Sequence, residues 1–350
     1  RIRRARALVQ GRDDVAVGLR AEELERDRPI RGGRERVDDL SAGRAEPEAR
    51  AHGQDARVGP ALQHAGEPAV DDDGLAGASG HAALRCGAAR IGAVDAHHHL
   101  WDLGVSHYAW LHPNPAGDPF PDFEKICRDY TIEDYRAEIA GHGIVKSVHV
   151  QAEHDASAPV RETTWLQAIA DDPRSGGFPH AIVAGADLMH PDAEAVLEAQ
   201  ASHANVRGIR QILSPRATAA SGDPAEKALA SRAAQLEDEG FLRQFALLRR
   251  FDLSFDLQLF AWQRDEAKAL LRRHDDTRIV LNHTLMPFDR SEEGMEQWRR
   301  GLEFFADHPH VVLKISGLGM APGGWDPALN RRLVTRAIEA FGTDRCLFGS

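Results

Sequence analysis

The sequence predicts a (β/α)8 TIM barrel, and three observations lead to this fold class. From Ile91 onward, short β-rich runs alternate with longer amphipathic runs, which is typical of βα units around a parallel sheet. We count eight runs of the first kind and seven of the second. The chain of 350 residues is also long enough for a barrel of about 250 residues.

Each predicted strand is a short apolar stretch bounded by polar or turn-forming residues. The first is 93–97, in which Val94 leads into an Asp-Ala-His-His-His tract, and the last is 345–349. Because the last strand reaches the end of the sequence, we expect a barrel truncated at its C-terminus after strand 8, without its last helix. The six strands between them are predicted at 146–151, 181–187, 206–213, 253–259, 278–283 and 311–316.

The predicted helices lie between these strands and carry apolar residues at helical spacing. Capping residues precede several of them, namely Thr131, Asp192 and Ser291. Glycines stand where helices are expected to end, namely Gly143, Gly240 and Gly342. The seven helices are predicted at 132–140, 160–170, 193–203, 225–249, 263–274, 292–307 and 328–341.

Residues 1–92 differ in composition from the rest of the chain. They contain no Phe, Trp, Tyr or Lys, and Arg, Ala, Gly, Asp and Glu dominate. Such a segment buries too little apolar surface to offset its ordering entropy. We expect 1–92 to be disordered or a misassigned start, and 93–350 to be the barrel. An arginine-rich tail for an acidic partner is disfavoured, because its acids are interspersed with its bases.

Charge and cysteine content exclude several classes of protein. The net charge of −11 comes from residues after 92, which argues against nucleic acid and anionic membranes as partners. No apolar run is long enough to span a bilayer, and no secretory signal is evident, so we expect a cytoplasmic protein with a small-molecule substrate. Cys86, Cys127 and Cys346 are scattered, which fits free thiols in a reducing compartment.

The His97-His98-His99 tract carries the first chemical signal. Side chains alternate along a strand, so His97 and His99 are predicted to point to one face and His98 to the other. Two neutral imidazoles from one strand make half of a metal site. A chance or tag-like tract is the alternative, but its apolar neighbours Val94 and Trp101 argue against a tag.

Active sites of this fold form at the carboxyl ends of the strands, so polar residues there are candidates. His283 ends an apolar strand, with a buried core histidine as the alternative. Glu153 could be a ligand or base, or part of a solvated loop. The guanidinium of Arg210 is costly to bury unpaired, so it meets an internal carboxylate or an anionic substrate group. The remaining strand-end candidates are Gln151, Asp187, His190, Arg207, Asp256, Gln258, Asn282, Lys314 and Ser316.

Motifs in this order resemble the amidohydrolase superfamily over residues 93–350. They are Asp95-x-His97-x-His99, Val148-His-Val-Gln-Ala152, Leu281-Asn-His283, Lys314-Ile-Ser-Gly-Leu318 and Leu347-Phe-Gly-Ser350. The branch that looks most similar contains TIM-barrel hydrolases such as sugar lactonases and the pyrone-dicarboxylate lactonase. The resemblance implies a hydrolase that opens a small cyclic ester, for example a sugar lactone.

The resemblance also implies roles for individual residues. His97 and His99, with His283, would ligate one divalent metal ion, zinc being the expected element, or polarise the substrate carbonyl without metal. His283 and Glu153 are the catalytic candidates, and Arg210, Arg207, Gln151 and Trp101 the substrate-binding ones. The family's usual base follows the eighth strand's Gly-Ser, and this sequence ends at Ser350. No Lys ends the fourth strand, which argues against a two-metal site built on a carboxylated lysine.

Two other interpretations remain at this point. A zinc-dependent decarboxylase of the same superfamily would carry similar strand-end residues. A catalytically incomplete fragment would bind metal or nothing.

Overall fold

The computed structural model describes residues 92–112, 123–214, 234–321 and 323–350. The predicted disorder of 1–92 therefore lies outside the described residues except at Gly92. The thiols of Cys127 and Cys346 form no disulfide. No helix within the described ranges combines the length and apolar content that a membrane crossing requires.

Eight parallel strands form one sheet in which each strand pairs with the next along the chain. This order confirms the predicted barrel, because helices lie between the strands and the last strand comes to lie against the first in a nearly closed barrel. The strands are β1 Ala93–His98, β2 Ile144–Val150, β3 Ala181–Gly185, β4 Val206–Ile212, β5 Ser254–Gln258, β6 Ile279–Leu281, β7 Val311–Ile315 and β8 Cys346–Phe348.

Helices connect the strands as predicted, but two of the predicted helices are broken. The long helix predicted at 225–249 is described only from residue 234, and from there it contains two short helices. Asp238 caps the first of them by accepting hydrogen bonds from the amides of Gly240 and Phe241. The one predicted at 263–274 begins as a 3-10 turn, Ala261–Asp265. The helices are α1 Ile132–Glu138, α2 Arg161–Asp171, α3 Ala193–Ala201, α4 Glu239–Phe245, α5 Leu247–Arg250, α6 Lys268–Arg273, α7 Glu292–Ala306 and α8 Pro327–Phe341.

The main apolar core lies between the sheet and the helices. Helix α7 shows the pattern: Trp298, Leu302 and Phe305 recur at helical spacing and are buried, while its glutamates face solvent. On the sheet side, Ile209 and Phe255 are fully buried in the same core. Each such side chain contributes about 1.5–3 kcal/mol to the free energy of unfolding, so this layer fixes the positions of the strand ends.

Side chains join the first and last strands. Asp95 accepts hydrogen bonds from the backbone N–H of Ser350, at 3.0 Å, and from its hydroxyl, at 2.7 Å. Asp95 also accepts from the Tyr135 hydroxyl on α1, at 3.0 Å, and from the backbone N–H of His97, at 3.0 Å. The pairing of β1 with β2 shifts register between Asp95 and His98, as at a β-bulge. The Asp95 carboxylate thus connects β8 to β1 and to the first helix.

Candidate active site

Three imidazoles meet at the carboxyl end of the barrel. The ring centroids of His97 and His99 are 5.1 Å apart, and the ring of His283, which follows β6, lies 4.5 Å from that of His97. His98 faces the opposite side of β1 and stacks on Tyr135 at 4.0 Å, as strand alternation requires. We call His97, His99 and His283 the imidazole cluster.

Two glycines allow neighbouring strand ends to approach this cluster. A Cβ atom at Gly317 would lie 2.8 Å from the Cβ of His283, and one at Gly349 would lie 2.7 Å from the Cβ of His97. Residues 283–286 all have φ between 50° and 58°, a left-handed conformation that costs about 1–2 kcal/mol per residue. The backbone that carries His283 is therefore held in a costly geometry by its surroundings, which is common at functional sites.

The hydrogen bonds of the cluster leave nitrogen lone pairs free. His99 donates from Nδ1 to the carbonyl of Val150 at 2.7 Å, so Nε2 carries its lone pair. His283 Nδ1 lies 3.2 Å from the Ser316 hydroxyl. Both ring nitrogens of His97 are buried and have no hydrogen-bond partner among the residues that the structure describes. Unpaired buried nitrogens are costly, so a ligand that contacts His97 would gain a bond that the folded chain does not supply.

Burial and nearby cations keep these imidazoles neutral. Burial lowers the pKa of His97 well below its usual value, and His283 and Lys314 lower it further. Burial lowers the pKa of His99 as well, followed by the effect of Arg210. The pKa of His283 falls to about 3, mainly through burial and then through Arg210. At neutral pH each ring therefore offers one donor and one acceptor nitrogen.

A buried ion pair lies beside the cluster inside the barrel. Lys314 Nζ is 2.6 Å from Asp256 Oδ2, and both side chains are almost fully buried. The same carboxylate oxygen accepts a 2.9 Å hydrogen bond from the Asn282 side chain. Breaking such a pair costs about 3–5 kcal/mol because it leaves one charge uncompensated. These strand-end residues were candidates from the sequence, and the structure assigns them to one network.

Arg210 is buried, and its guanidinium contacts only neutral acceptors. It donates to the side-chain oxygen of Gln258 at 3.2 Å and to the backbone carbonyl of Gln151, while its Nε has no partner within the described ranges. Burial lowers the pKa of Arg210, opposed by the more distant carboxylates of Glu153 and Asp256. Of the two predicted partners, no internal carboxylate in the described residues forms an ion pair with it, which leaves its charge available to an anionic ligand group.

A cavity of about 850 Å³ opens beside Arg210 at the ends of β2, β3 and β4. Glu153 lines it with φ of +54°, another left-handed residue, and its backbone N–H donates to the Gln151 side chain. We call this space the β2–β4 cavity. Its other polar lining residues include His107, His154, Asp155, Glu162, Asp187, His190 and Gln211.

Two of the predicted substrate-binding residues are placed differently. Arg207 is not brought to the cavity: it lies at the start of β4, and its guanidinium donates to the carbonyls of Ala204 and Val206. Because side chains alternate along a strand, Arg207 points to the opposite face of β4 from Arg210, toward the outside of the barrel. Trp101 is buried, donates to the carbonyl of Arg128 and stacks behind His99 at 6.1 Å.

Glu162, which the structure places in the cavity wall, was not among the candidates predicted from the sequence. It occupies the first turn of α2, where an acidic residue is ordinarily explained by the helix dipole. Its Oε1 accepts hydrogen bonds from the Tyr108 hydroxyl at 3.0 Å and from the Ala152 N–H at 3.1 Å. Only the fold reveals that this helix begins beside Arg210.

The donor chemistry of the imidazole cluster suits a divalent ion such as zinc. Neutral imidazoles with free lone pairs are the usual form of histidine ligands, and the Val150 carbonyl orients His99 as a typical outer partner does. Two facts oppose a complete metal site. No three His, Cys, Asp or Glu side chains in the described ranges are grouped so that they could hold a metal ion. The positive charges of Lys314 and Arg210, which lie near His97, would also repel a cation. His97 and His99 are the residues that would hold it, with His283 nearest to them.

Residues 94–350 match the amidohydrolase family. The chain belongs to this family. This amidohydrolase is 38% identical over 260 residues to an uncharacterized protein of Sinorhizobium fredii, a match that covers 74% of the chain and 84% of the relative. It is 29% identical over 270 residues to the L-fucono-1,5-lactonase of Burkholderia multivorans, covering 73% and 80%.

Solved structures agree with the family assignment. A crystal structure of an amidohydrolase from Burkholderia multivorans with bound zinc is similar to this amidohydrolase with a TM-score of 0.58 and 26% identity, covering 73% of this chain and 83% of that one. A 2-pyrone-4,6-dicarboxylic acid hydrolase from Pseudomonas putida, described as putative, aligns with a TM-score of 0.50 and 19% identity over 73% and 81% of the two chains. The latter supports the fold alone.

Proposed function

We propose that this amidohydrolase opens a small cyclic ester, a sugar lactone, by adding water to the lactone carbonyl. The observation that carries the proposal is the imidazole cluster of His97, His99 and His283, in which His97 has unpartnered nitrogens among the described residues. All three rings lie within electrostatic range of Arg210, which lines the β2–β4 cavity. The similarity to an L-fucono-1,5-lactonase supports the choice of a lactone.

The chemistry requires two proton movements, and each has candidate residues. Water attacks the carbonyl carbon and loses a proton to Glu153, whose carboxylate lines the cavity. The ring C–O bond then breaks, and the leaving oxygen takes up the proton that Glu153 received from water, so that the lactone plus one water becomes one hydroxy acid. Neutral His283 donates a hydrogen bond to the developing oxyanion, and Arg210 stabilises its charge.

A single divalent ion, with zinc as the expected element, is part of the proposal. When bound by His97 and His99, it supplies Lewis acidity at the carbonyl. Gln151 contributes to the substrate site through its backbone carbonyl, which holds Arg210 in position. Trp101 acts from behind His99 by fixing the plane of that ring.

The experiment measures hydrolysis of L-fucono-1,5-lactone and a panel of related sugar lactones by proton release. We expect His97→Asn and His283→Asn to lower kcat/KM by roughly 10²- to 10⁴-fold, the range for loss of a positioned catalytic group. His142→Asn, an exposed histidine in a turn before β2, is the matched control and keeps wild-type turnover. Elemental analysis of the same preparations measures bound metal.

Three results would contradict the proposal. Wild-type turnover in both cluster variants would remove the imidazoles from the chemistry. Carbon dioxide release from an aromatic carboxylate, without lactone opening, would identify a decarboxylase instead. Cooperative unfolding combined with inactivity on every lactone would leave a folded but non-catalytic protein.

A further inference from the structure

The carboxyl group of Glu162 is the one buried acid of the β2–β4 cavity wall that the proposed chemistry does not use. Its side chain is 3% exposed, and both of its hydrogen bonds, from Tyr108 and Ala152, fall on Oε1. The structure records no ion pair for it among the described residues; Arg210 acts on it only at longer range. Oε2 therefore keeps its hydrogen-bonding capacity for a ligand.

Rigid neighbours hold this carboxyl in position. Tyr108 is buried in a small hydrophobic cluster with Trp101 and Leu111, and its ring packs edge-on against the ring of His154, with a centroid distance of 5.5 Å. Ala152 directly follows β2 and is also buried. The Glu162 carboxyl is thus positioned from the segments after β1 and after β2, at the wall of the cavity that Arg210 shares.

We propose that Glu162 in its protonated form donates a hydrogen bond from Oε2 to an oxygen of the substrate beside Arg210. This assignment rests on the proposed function for the ligand, because a lactone and its hydroxy acid product both present acceptor oxygens. Glu162 is a specificity-determining residue in this account, since its hydrogen bond goes to a substrate oxygen other than the carbonyl oxygen that Arg210 stabilises.

The surroundings of Glu162 favour the protonated form. Burial raises the pKa of its carboxyl to about 7, opposed by the Ala152 N–H, the Tyr108 hydroxyl and Arg210. A single buried carboxyl without a direct cationic partner is expected to behave in this way. The titratable and charged groups that share the cavity with it are His107, Glu153, His154, Asp155, Asp187, His190, Asp192 and Arg210.

The first test detects the proton without any ligand. Difference infrared spectra between pH 6 and pH 8 should show a protonated carboxyl band in the wild type that Glu162→Gln lacks. Glu138→Gln is the matched control, because Glu138 also accepts a hydrogen bond from a tyrosine, Tyr130, but on the exposed side of α1. A wild-type spectrum identical to that of Glu162→Gln overturns the proposal.

The second test follows KM for the lactone across the same pH range. If only the protonated carboxyl binds, a group that titrates near pH 7 makes the wild-type KM rise about tenfold from pH 6 to pH 8. Glu162→Gln keeps a donor in the form of its amide, so its KM should stay at the low-pH wild-type value throughout. Glu162→Leu lacks the donor and should show a raised KM at both pH values.

The outcomes separate this inference from the proposed function. A KM of Glu162→Gln that rises with pH as in the wild type overturns the hydrogen bond to the substrate. Lactone inactivity of the wild type, with the infrared band present, overturns the proposed reaction and supports the proton on Glu162. Both tests use the full chain, and circular dichroism of each variant establishes that it is folded.

Discussion

The close approach of β7 to His283 makes a quantitative prediction about Gly317. A methyl group at this position would meet the Cβ, Cγ and Nδ1 atoms of His283 at 2.8–2.9 Å, and the residue has a φ of +68°. Left-handed backbone costs an L-residue about 1–2 kcal/mol, and forced overpacking adds about 1–3 kcal/mol. We therefore expect Gly317→Ala to lower the free energy of unfolding by about 2–5 kcal/mol in total.

Gly143 provides the matched control. Its φ of +73° is similar, but no atom lies within 4 Å of the position that a Cβ would take. Gly143→Ala should therefore cost only the backbone part, about 1–2 kcal/mol. Urea unfolding of the two variants at pH 7 measures the difference. Equal losses of unfolding free energy in the two variants would refute the conclusion that the segment directly after β7 packs against the side chain of His283.

Three further predictions concern charged groups of the barrel interior. Lys314→Met should lower the free energy of unfolding by about 3–5 kcal/mol, because it leaves Asp256 without its ion-pair partner. The double variant with Asp256→Leu should recover most of that loss in the same urea assay, and additive losses would contradict the pairing. Arg210→Leu should lower kcat for lactone opening by about 10²-fold, as loss of an oxyanion-stabilising donor does, and an unchanged kcat would remove Arg210 from the reaction. Burial raises the pKa of Glu162 from 4.5 to about 7, so as the pH rises the carboxyl ionises in the unfolded chain before it ionises in the folded one. The free energy of unfolding should therefore fall by about 3 kcal/mol as the pH rises from 4.5 to 7. Glu162→Gln should abolish that part of the pH dependence, and an unaltered stability profile between pH 4.5 and 7 would count against a buried proton.

The sequence predicted the barrel because its signals are local and repeated. Alternating short and long apolar runs reflect which side chains face the core, and that pattern repeats with every βα unit. The same reasoning identified His97 and His99, since strand alternation alone brings them to one face. The break within the helix predicted at 225–249 was missed because an acidic cap, Asp238, competes there with otherwise continuous helical spacing.

The parts of the site that depend on tertiary contacts could not be predicted. Arg207 and Arg210 look alike in a strand of seven residues, and only the phase of β4 separates the outward side chain from the inward one. The pairing of Asp256 with Lys314 joins residues 58 positions apart. Glu162 lies in the first turn of α2, where an acidic residue is ordinarily explained by the helix dipole, so the sequence did not predict that it is buried beside a cavity.

A crystal structure of the protein with L-fuconate, the hydroxy acid product of the proposed reaction, tests the central claim most directly. The account predicts the product carboxylate within hydrogen-bond distance of the imidazole cluster and of Arg210, with its hydroxyl-bearing chain in the β2–β4 cavity. The account would be contradicted if the product bound elsewhere, if the rings of His97 and His283 were separated from each other, and if neither ring contacted the product.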